Sequence, residues 1–406
     1  MNTALQTFYL VIQLLALAAL AFPTLYIFVF ACAGLFYRQP AYPASTSYRK
    51  IAVLIPGYKE DEVIIEVARE ALLQDYPNDR YDIVIIADSF APETLAKLSD
   101  MPVRVVEVKF EKSTKSKALN KAMEVLPGDY NIAVVLDADN VMAKDFLTKI
   151  NAAFEHNFVA VQGHRTAKNT NTSLAILDAV SEEINNHIFR KGHRVLGLSS
   201  AIIGSGMAFG YGFFKNLMSE VTAVGGFDKE IELKLLKEGY KIEYLNDAYV
   251  FDEKVQKAEV FSNQRRRWLS AQFHYFRKDF PNALKDLVLK GNVDYFDKAI
   301  QFIQPPRILL LGGVLLFGAA FVIFNFLFQL CMCYSLLWVI IAALCVLSFL
   351  FSVPGTLYTK ETMKALESLP KGMILMMGSL LKIKGANKNF IHTTHSSVTT
   401  DIKKEN

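Results

Sequence analysis

The 406-residue chain is 52% hydrophobic, with a mean hydropathy of +0.23 and a formal net charge of +4 at pH 7. That charge is too small to mark a nucleic-acid binder, and it suits basic residues lying along an anionic lipid surface. The four cysteines, Cys32, Cys331, Cys333 and Cys345, all sit in uncharged apolar runs. This argues against a disulfide framework or zinc site, which needs ligand-spaced Cys or His in polar settings.

Residues 1–37 carry no charge. Leu10 to Phe36 supplies the roughly 20 apolar residues that a membrane span needs, with Pro23 as an expected kink. The basic n-region and short h-region of a cleaved signal peptide are missing, so an uncleaved helix is expected. A soluble domain follows over 38–279. Its apolar runs at 51–55, 83–87, 103–108 and 132–136 alternate with helical stretches at 60–74 and 115–126. Continuous apolar runs are the mark of buried parallel strands, so an α/β class with a mostly parallel sheet is expected. Polar residues follow each run directly, at the carboxyl ends where open α/β sheets bind ligands. Neither GxGxxG nor GxxxxGK[ST] is present, which argues against a dinucleotide fold or a P-loop.

Residues 280–307 alternate apolar and basic positions and are expected to form interface helices. Ile308 to Tyr358 is uncharged and too long for one span; Asn325 and Gln329 suggest a break between helices at about 308–326 and 331–353. The segment 359–406 contains a short Met-rich stretch at 372–381, read as an interfacial helix, a re-entrant segment or a packed core helix. Arg38, Arg49 and Lys50 follow the first span, Lys290, Lys298 and Arg307 precede the second, and Lys360, Lys364 and Lys371 follow the third. By the positive-inside rule, residues 38–307 and the C-terminus are cytoplasmic.

Four places in the soluble domain suggest chemistry. Asp137 and Asp139, one residue apart at a strand end, can hold a hard divalent cation, because Mg²⁺ takes one or two carboxylates plus phosphate oxygens. Asp88 also ends a strand, where it could accept from a nucleobase N–H or cap a helix. Gln264, Arg265, Arg266, Arg267 and Trp268 join planar donors suited to phosphate with a flat ring; a lipid-facing basic helix would look the same. Asp228 opens a helical stretch after Gly225 and Gly226, where a cap is equally ordinary. Glu230 and Glu232 read as solvated residues of that helix.

Taken in order, these segments resemble the family-2 inverting glycosyltransferases, especially the membrane synthases related to cellulose, chitin and hyaluronan synthases. The resemblance covers about residues 50–275. It rests on Pro56-Gly57-Tyr58-Lys59-Glu60, Gln74-Asp75-Tyr76-Pro77, Asp88, and Thr114-Lys115-Ser116-Lys117-Ala118-Leu119-Asn120, with Thr114 in place of the usual Gly. It continues through Asp137 and Asp139, Val161-Gln162-Gly163, Gly204-Ser205-Gly206 and Gln264, Arg267 and Trp268. Residues 390–395 (FIHTTH) fit the same group. One departure stands out: where the family carries Glu-Asp before a helix, this chain has Phe227-Asp228.

The resemblance implies a GT-A type nucleotide-diphospho-sugar transferase domain with about three transmembrane helices, acting by a single inverting displacement. It implies Glu60 and Asp88 at the base and ribose and Lys115 near the diphosphate. Asp139, with Asp137 beside it, would hold Mg²⁺ or Mn²⁺. Asp228 would be the catalytic base, with Glu230 as fallback. Gln264, Arg267 and Trp268 would bind acceptor sugar and leaving diphosphate. The donor would be a nucleotide-sugar, taken as UDP-linked, and the acceptor a polysaccharide or lipid at the cytoplasmic face of the cell membrane, with accessory export proteins as possible partners. A single-transfer glycolipid enzyme is the nearest alternative, because three spans build a polymer channel poorly. A catalytically dead membrane scaffold or nucleotide sensor is the other.

Overall fold

The computed structural model describes residues 3–43, 45 and 47–383; residues 390–395 lie outside the described residues. The strands are β1 (Ile51–Tyr58), β2 (Tyr81–Asp88), β3 (Arg104–Val108), β4 (Ile132–Val135), β5 (Val141–Met142), β6 (Ala160–Ala167), β7 (Met207–Gly210) and β8 (Ile242–Asp252). Around them lie α1 (Thr3–Gly34), α2 (Ile64–Ala71), α3 (Pro92–Ser99), α4 (Lys115–Val125), α5 (Phe146–Phe154), α6 (Ser173–Asn186), α7 (His193–Val195), α8 (Tyr211–Ser219) and α9 (Phe227–Lys237). The chain then runs through α10 (Ala258–Lys290), α11 (Val293–Ile303), α12 (Arg307–Leu327), α13 (Met332–Ser352), α14 (Lys360–Ala365) and α15 (Leu369–Leu381).

The eight strands form one sheet in the order β3-β2-β1-β4-β7-β6-β8-β5. Its first half is wholly parallel, as the unbroken apolar runs require. Beyond β4 the sheet is mixed: β7 runs antiparallel to both β4 and β6, β8 is parallel to β6, and β5 is antiparallel to β8. Side chains of β1 divide with period two. Ala52 and Leu54 face a core shared with α4, α8 and α9, while Ile51, Val53 and Ile55 face one shared with α2, α3 and α5. The sheet is therefore covered on both faces, and ligands can reach it only at strand ends. There β1 and β2 finish level, Tyr58 beside Asp88. Lys59 and Ser89, the next residues, take positive φ and turn the chain sharply away.

Three helices, α1, α12 and α13, are long and apolar enough to cross a membrane. Asn325 lies in the last turn of α12, inside the expected 308–326 helix; it accepts from Tyr9 at 2.9 Å and donates to Ser335 at 3.2 Å, so polar groups of α1, α12 and α13 satisfy one another. The turn comes after it, with Gln329 at positive φ. Helix α10 runs uninterrupted through residues 279 and 280, so Gln264–Trp268 and the first part of the 280–307 stretch share one 33-residue helix. Helix α15 packs against α10 and α12 through Gly372 and Met376, while Ile374 and Leu381 stay exposed.

The C-terminal end of α1 is tied down closely. His187–Gly192 forms a π-helical turn after α6. His193 stacks on Phe30 with ring centroids 3.7 Å apart, and Tyr26 donates to Asp297 at 2.6 Å. A Cβ on Gly192 would lie 2.2 Å from the Phe30 carbonyl oxygen, so only glycine permits this approach. Overpacking of this kind costs about 1–3 kcal/mol. Gly192→Ala is expected to lower the melting temperature of the detergent-purified protein, whereas Gly128→Ala, which meets nothing within 4 Å, should leave it unchanged. Equal melting of the two variants would contradict the seam described here.

Candidate active site

A single cavity of about 1050 Å³ opens at the strand ends. Glu60, Asp88, Lys115, Asp137, Asp139, Asp228, Gln264, Arg267 and Trp268 all line it. The structure thus brings together every sequence-expected site residue except Glu230, the fallback. Glu230 is 7% exposed and packed inward, where Tyr275 donates to it at 3.4 Å. Its neighbour Asp228 faces the cavity beside Gly204, whose φ of +80° admits no side chain comfortably.

Backbone and neutral side chains make one set of contacts to the Asp137–Asp139 turn. Ser205 accepts from the Asp137 amide at 2.9 Å and donates to Asn140 at 2.5 Å. Gln162 donates its side-chain amide to the carbonyls of Ser205 and Gly206, at 3.0 and 3.1 Å, and accepts from the Ile203 amide. The Val-Gln-Gly and Gly-Ser-Gly segments are therefore the supports of the aspartate turn. Gly163 must be glycine because a Cβ would lie 2.7 Å from the Phe146 ring and 2.9 Å from the Ala248 carbonyl.

Lys115, first residue of α4, reaches across to donate to Asp137 at 2.5 Å and to the Gly204 carbonyl at 2.7 Å. Thr114 caps α4 by accepting from the Lys117 amide, which explains why Thr can stand where the family pattern has Gly. Phe227, the residue that departs from the family's Glu-Asp, places its ring centroid 5.1 Å from the Lys115 ammonium. A cation–π contact occupies the position of an expected carboxylate.

Behind the turn lies a buried ion network that sequence reasoning missed. Arg165 on β6 pairs with Glu182 of α6 at 2.8 Å and approaches Asp252 and Asp137 at 3.9 and 4.0 Å. Lys254 bridges Asp252 at 2.7 Å and Glu182 at 3.1 Å. Burial opposes all four charges. The two cations outweigh it for Glu182 and Asp252 and hold both carboxyls below the usual range, well below it for Glu182. Lys254 is pushed up to about 12, because Asp252 and Glu182 outweigh its own desolvation. Asp252 did carry a signal, since it follows the short apolar run Tyr249-Val250-Phe251 at the end of β8. Arg165 carried none.

Among the described residues, no three His, Cys, Asp or Glu side chains cluster as a metal cage. Asp137 and Asp139 offer two hard oxygen donors on one turn, the number of protein carboxylates that suits Mg²⁺ or Mn²⁺ when phosphate oxygens complete the shell. The residues present therefore fit such an ion. On α10, Arg265 forms an ion pair with Asp178 and stacks over Trp268 and Phe261, at 4.4 and 4.7 Å. This leaves Trp268 38% exposed at the cavity. Burial holds the Arg267 guanidinium below its ordinary pKa. Gln264 keeps a buried side-chain oxygen with no partner among the described residues.

The model of the family described as Glycosyltransferase like family 2 matches residues 49–271. A beta-monoglucosyldiacylglycerol synthase of Trichormus variabilis is 25% identical over 257 residues, covering 60% of this chain and 52% of that one. This chain thus spans about half the length of such relatives. The probable glycosyltransferase YdaM of Bacillus subtilis is 25% identical over 324 residues, covering 77% of this chain and 75% of its own. Among solved structures, a mannosyltransferase of Pyrobaculum calidifontis in complex with GDP-Man and Mn²⁺ superposes with a TM-score of 0.52 at 19% identity, over 84% of this chain and 98% of that one. That likeness establishes a shared GT-A-like fold. Matched by the family model over more than half its length, and folded to suit, the chain belongs to glycosyltransferase family 2 and is a glycosyltransferase.

Proposed function

We propose that this chain moves one sugar from a nucleotide-sugar to a hydroxyl of a membrane lipid, at the cytoplasmic face of the cell membrane. One observation carries the reading: the cavity is continuous from the strand-end carboxylates to apolar walls made by Leu310, Leu315, Phe349, Leu350, Met363 and Met376. A nucleotide-sugar suits the first end and an acyl or prenyl tail the second. The glycolipid names of the Trichormus relative and its kin point the same way, and the mannosyltransferase of like fold was solved with a nucleotide-sugar and Mn²⁺.

In this reading Asp88 and Glu60 hold the nucleoside, and Lys115 orients the diphosphate. Mg²⁺ or Mn²⁺ on Asp139, with Asp137 beside it, would neutralise charge on the leaving nucleoside diphosphate. The acceptor oxygen bonds to the anomeric carbon from the face opposite the diphosphate. Its proton passes to the Asp228 carboxylate, and the anomeric carbon–oxygen bond breaks with its electron pair leaving on the diphosphate. Gln264, Arg267 and Trp268, on one helix above the cavity, grip the acceptor headgroup and the departing diphosphate.

Nucleoside diphosphate release, measured with several nucleotide-sugars and with neutral and anionic lipid acceptors, tests the reading. A lipid carrying one added sugar is the expected product; a growing saccharide chain would overturn it. Activity should vanish in EDTA and in Asp139→Ala, with the variant still eluting as folded protein; full activity of Asp139→Ala would remove the metal from this residue. Asp228→Asn should cut turnover by about 10²-fold or more with donor binding little changed, and Glu230→Gln should be mild because that side chain is turned inward. The reverse pattern would make Glu230 the base. Topology is checked by fusions: a reporter at the C-terminus should read cytoplasmic and one at the N-terminus external, as the basic flanks require. An external C-terminus would put the active site on the wrong side of this scheme.

A further inference from the structure

The cavity is charged along its length. Around the strand ends, Glu60, Asp88, Asp137, Asp139 and Asp252 line it with Lys115, Arg165 and Lys254. Towards the membrane, on and around α6, α10 and α12, the guanidiniums of Arg190, Arg265, Arg267 and Arg307 line it with the carboxylates Asp178 and Glu182. Both of those are engaged: Asp178 by Arg265, and Glu182 by Arg165 and Lys254.

Arg307 is the most telling of these. It begins α12, at the point where the polar cavity meets its apolar part. Its guanidinium lies over the Phe189 ring at 5.7 Å and donates to neutral acceptors, Asn185 Oδ1 at 2.5 Å and Ser181 O and Oγ at 3.1 Å, with no carboxylate within 4 Å among the described residues. Three residues earlier, Gln304 also lines the cavity. Its side-chain oxygen and nitrogen are both buried, and neither has a partner among the described residues. Buried polar groups in a folded protein are normally satisfied, and a cation inside protein normally has a counter-charge. An unmatched guanidinium beside an unmatched amide describes a site that an anionic, hydrogen-bonding group would complete.

Resting on the lipid-acceptor reading above, we infer that Arg307 and Gln304 seat the phosphate of the acceptor's headgroup, so that the acceptor is an anionic phospholipid-type molecule, not a neutral acylglycerol. Planar guanidinium geometry suits phosphate oxygens. The position suits a lipid in particular: apolar walls continue directly below, through Leu310, Leu311 and Leu315 of the same helix. The phosphate anchors the molecule, and the hydroxyl presented to Asp228 remains the nucleophile.

The test uses the full chain in a neutral maltoside detergent, with binding measured by titration calorimetry. The probes are dioctanoyl phosphatidic acid, dioctanoylglycerol, inorganic phosphate and a nucleoside diphosphate. Phosphatidic acid should bind about ten-fold or more tightly than dioctanoylglycerol and than inorganic phosphate, since a hydrogen-bonded charge contact has that worth. Arg307→Gln should erase the preference for phosphatidic acid while leaving nucleoside diphosphate binding intact. Gln304→Glu, which adds a carboxylate to the same wall without removing Arg307, should weaken phosphatidic acid alone. Equal binding of the two lipids would overturn the inference while leaving a lipid acceptor standing. So would loss of nucleoside diphosphate binding in Arg307→Gln, which would assign the cation to the donor, or inorganic phosphate binding as tightly as phosphatidic acid, which would make it a free-anion site. If neither lipid binds, the lipid-acceptor reading itself fails.

Discussion

Arg165 is the point through which the rest of the active site is held. A guanidinium on an interior strand can be kept charged only if carboxylates come to it, because an unpaired buried charge costs several kcal/mol. Here they come from three directions: Asp137 from the turn after β4, Asp252 from the end of β8, and Glu182 from α6. Lys254 then balances the excess of negative charge. The demand for neutrality thus fixes the Asp137 turn against α6, and α6 is the helix that leads through a π-helical turn to the seam with α1. Moving any one partner would strand the others in a low-dielectric interior, so the network is rigid for electrostatic reasons as much as for packing ones.

A second layer, neutral and made of backbone, lies over this ionic one. Gln162, Ser205 and Asn140 join the Gly204–Gly206 loop to the aspartate turn through short hydrogen bonds. The glycines at 204 and 206 take positive φ, which lets the loop carbonyl of Gly204 reach Lys115 and brings the backbone close to Asp228. The two layers together bring Asp137, Lys115 and Asp228, contributed by three separate elements, to one wall of one cavity.

How much of this was legible in the sequence follows from what each element depends on. Strands β1, β2 and β4 announce themselves as apolar runs, two of them followed by an acid, because burial on both faces leaves no alternation to obscure them. Strand β6 does not: Gln162, His164 and Arg165 are polar residues inside the sheet, tolerated only because partners far along the chain satisfy them, and such partners leave no local pattern. The same holds for Asn325, whose partners Tyr9 and Ser335 come from other helices. Helix α10 runs across the boundary that the alternating apolar and basic positions after residue 279 suggest, and it carries Pro281 within it. Glu230 and Glu232 read as solvated and are in fact buried, Glu232 against Lys298 at 2.7 Å; burial raises the Glu232 pKa even with that lysine beside it.

On the proposed reading, the two ends of the cavity would meet their ligands under different conditions. At the strand ends Asp137 is shared by Lys115 at 2.5 Å and Arg165 at 4.0 Å, and Arg165 and Lys254 are themselves engaged by Glu182 and Asp252. A diphosphate arriving there would meet cations already balanced by carboxylates, and like charges in a partly desolvated cleft repel by several kcal/mol. It would be held only with further positive charge, which Mg²⁺ or Mn²⁺ on Asp139 and Asp137 would supply. Arg307 has no carboxylate within 4 Å among the described residues, so an anion bound there would need no ion delivered with it.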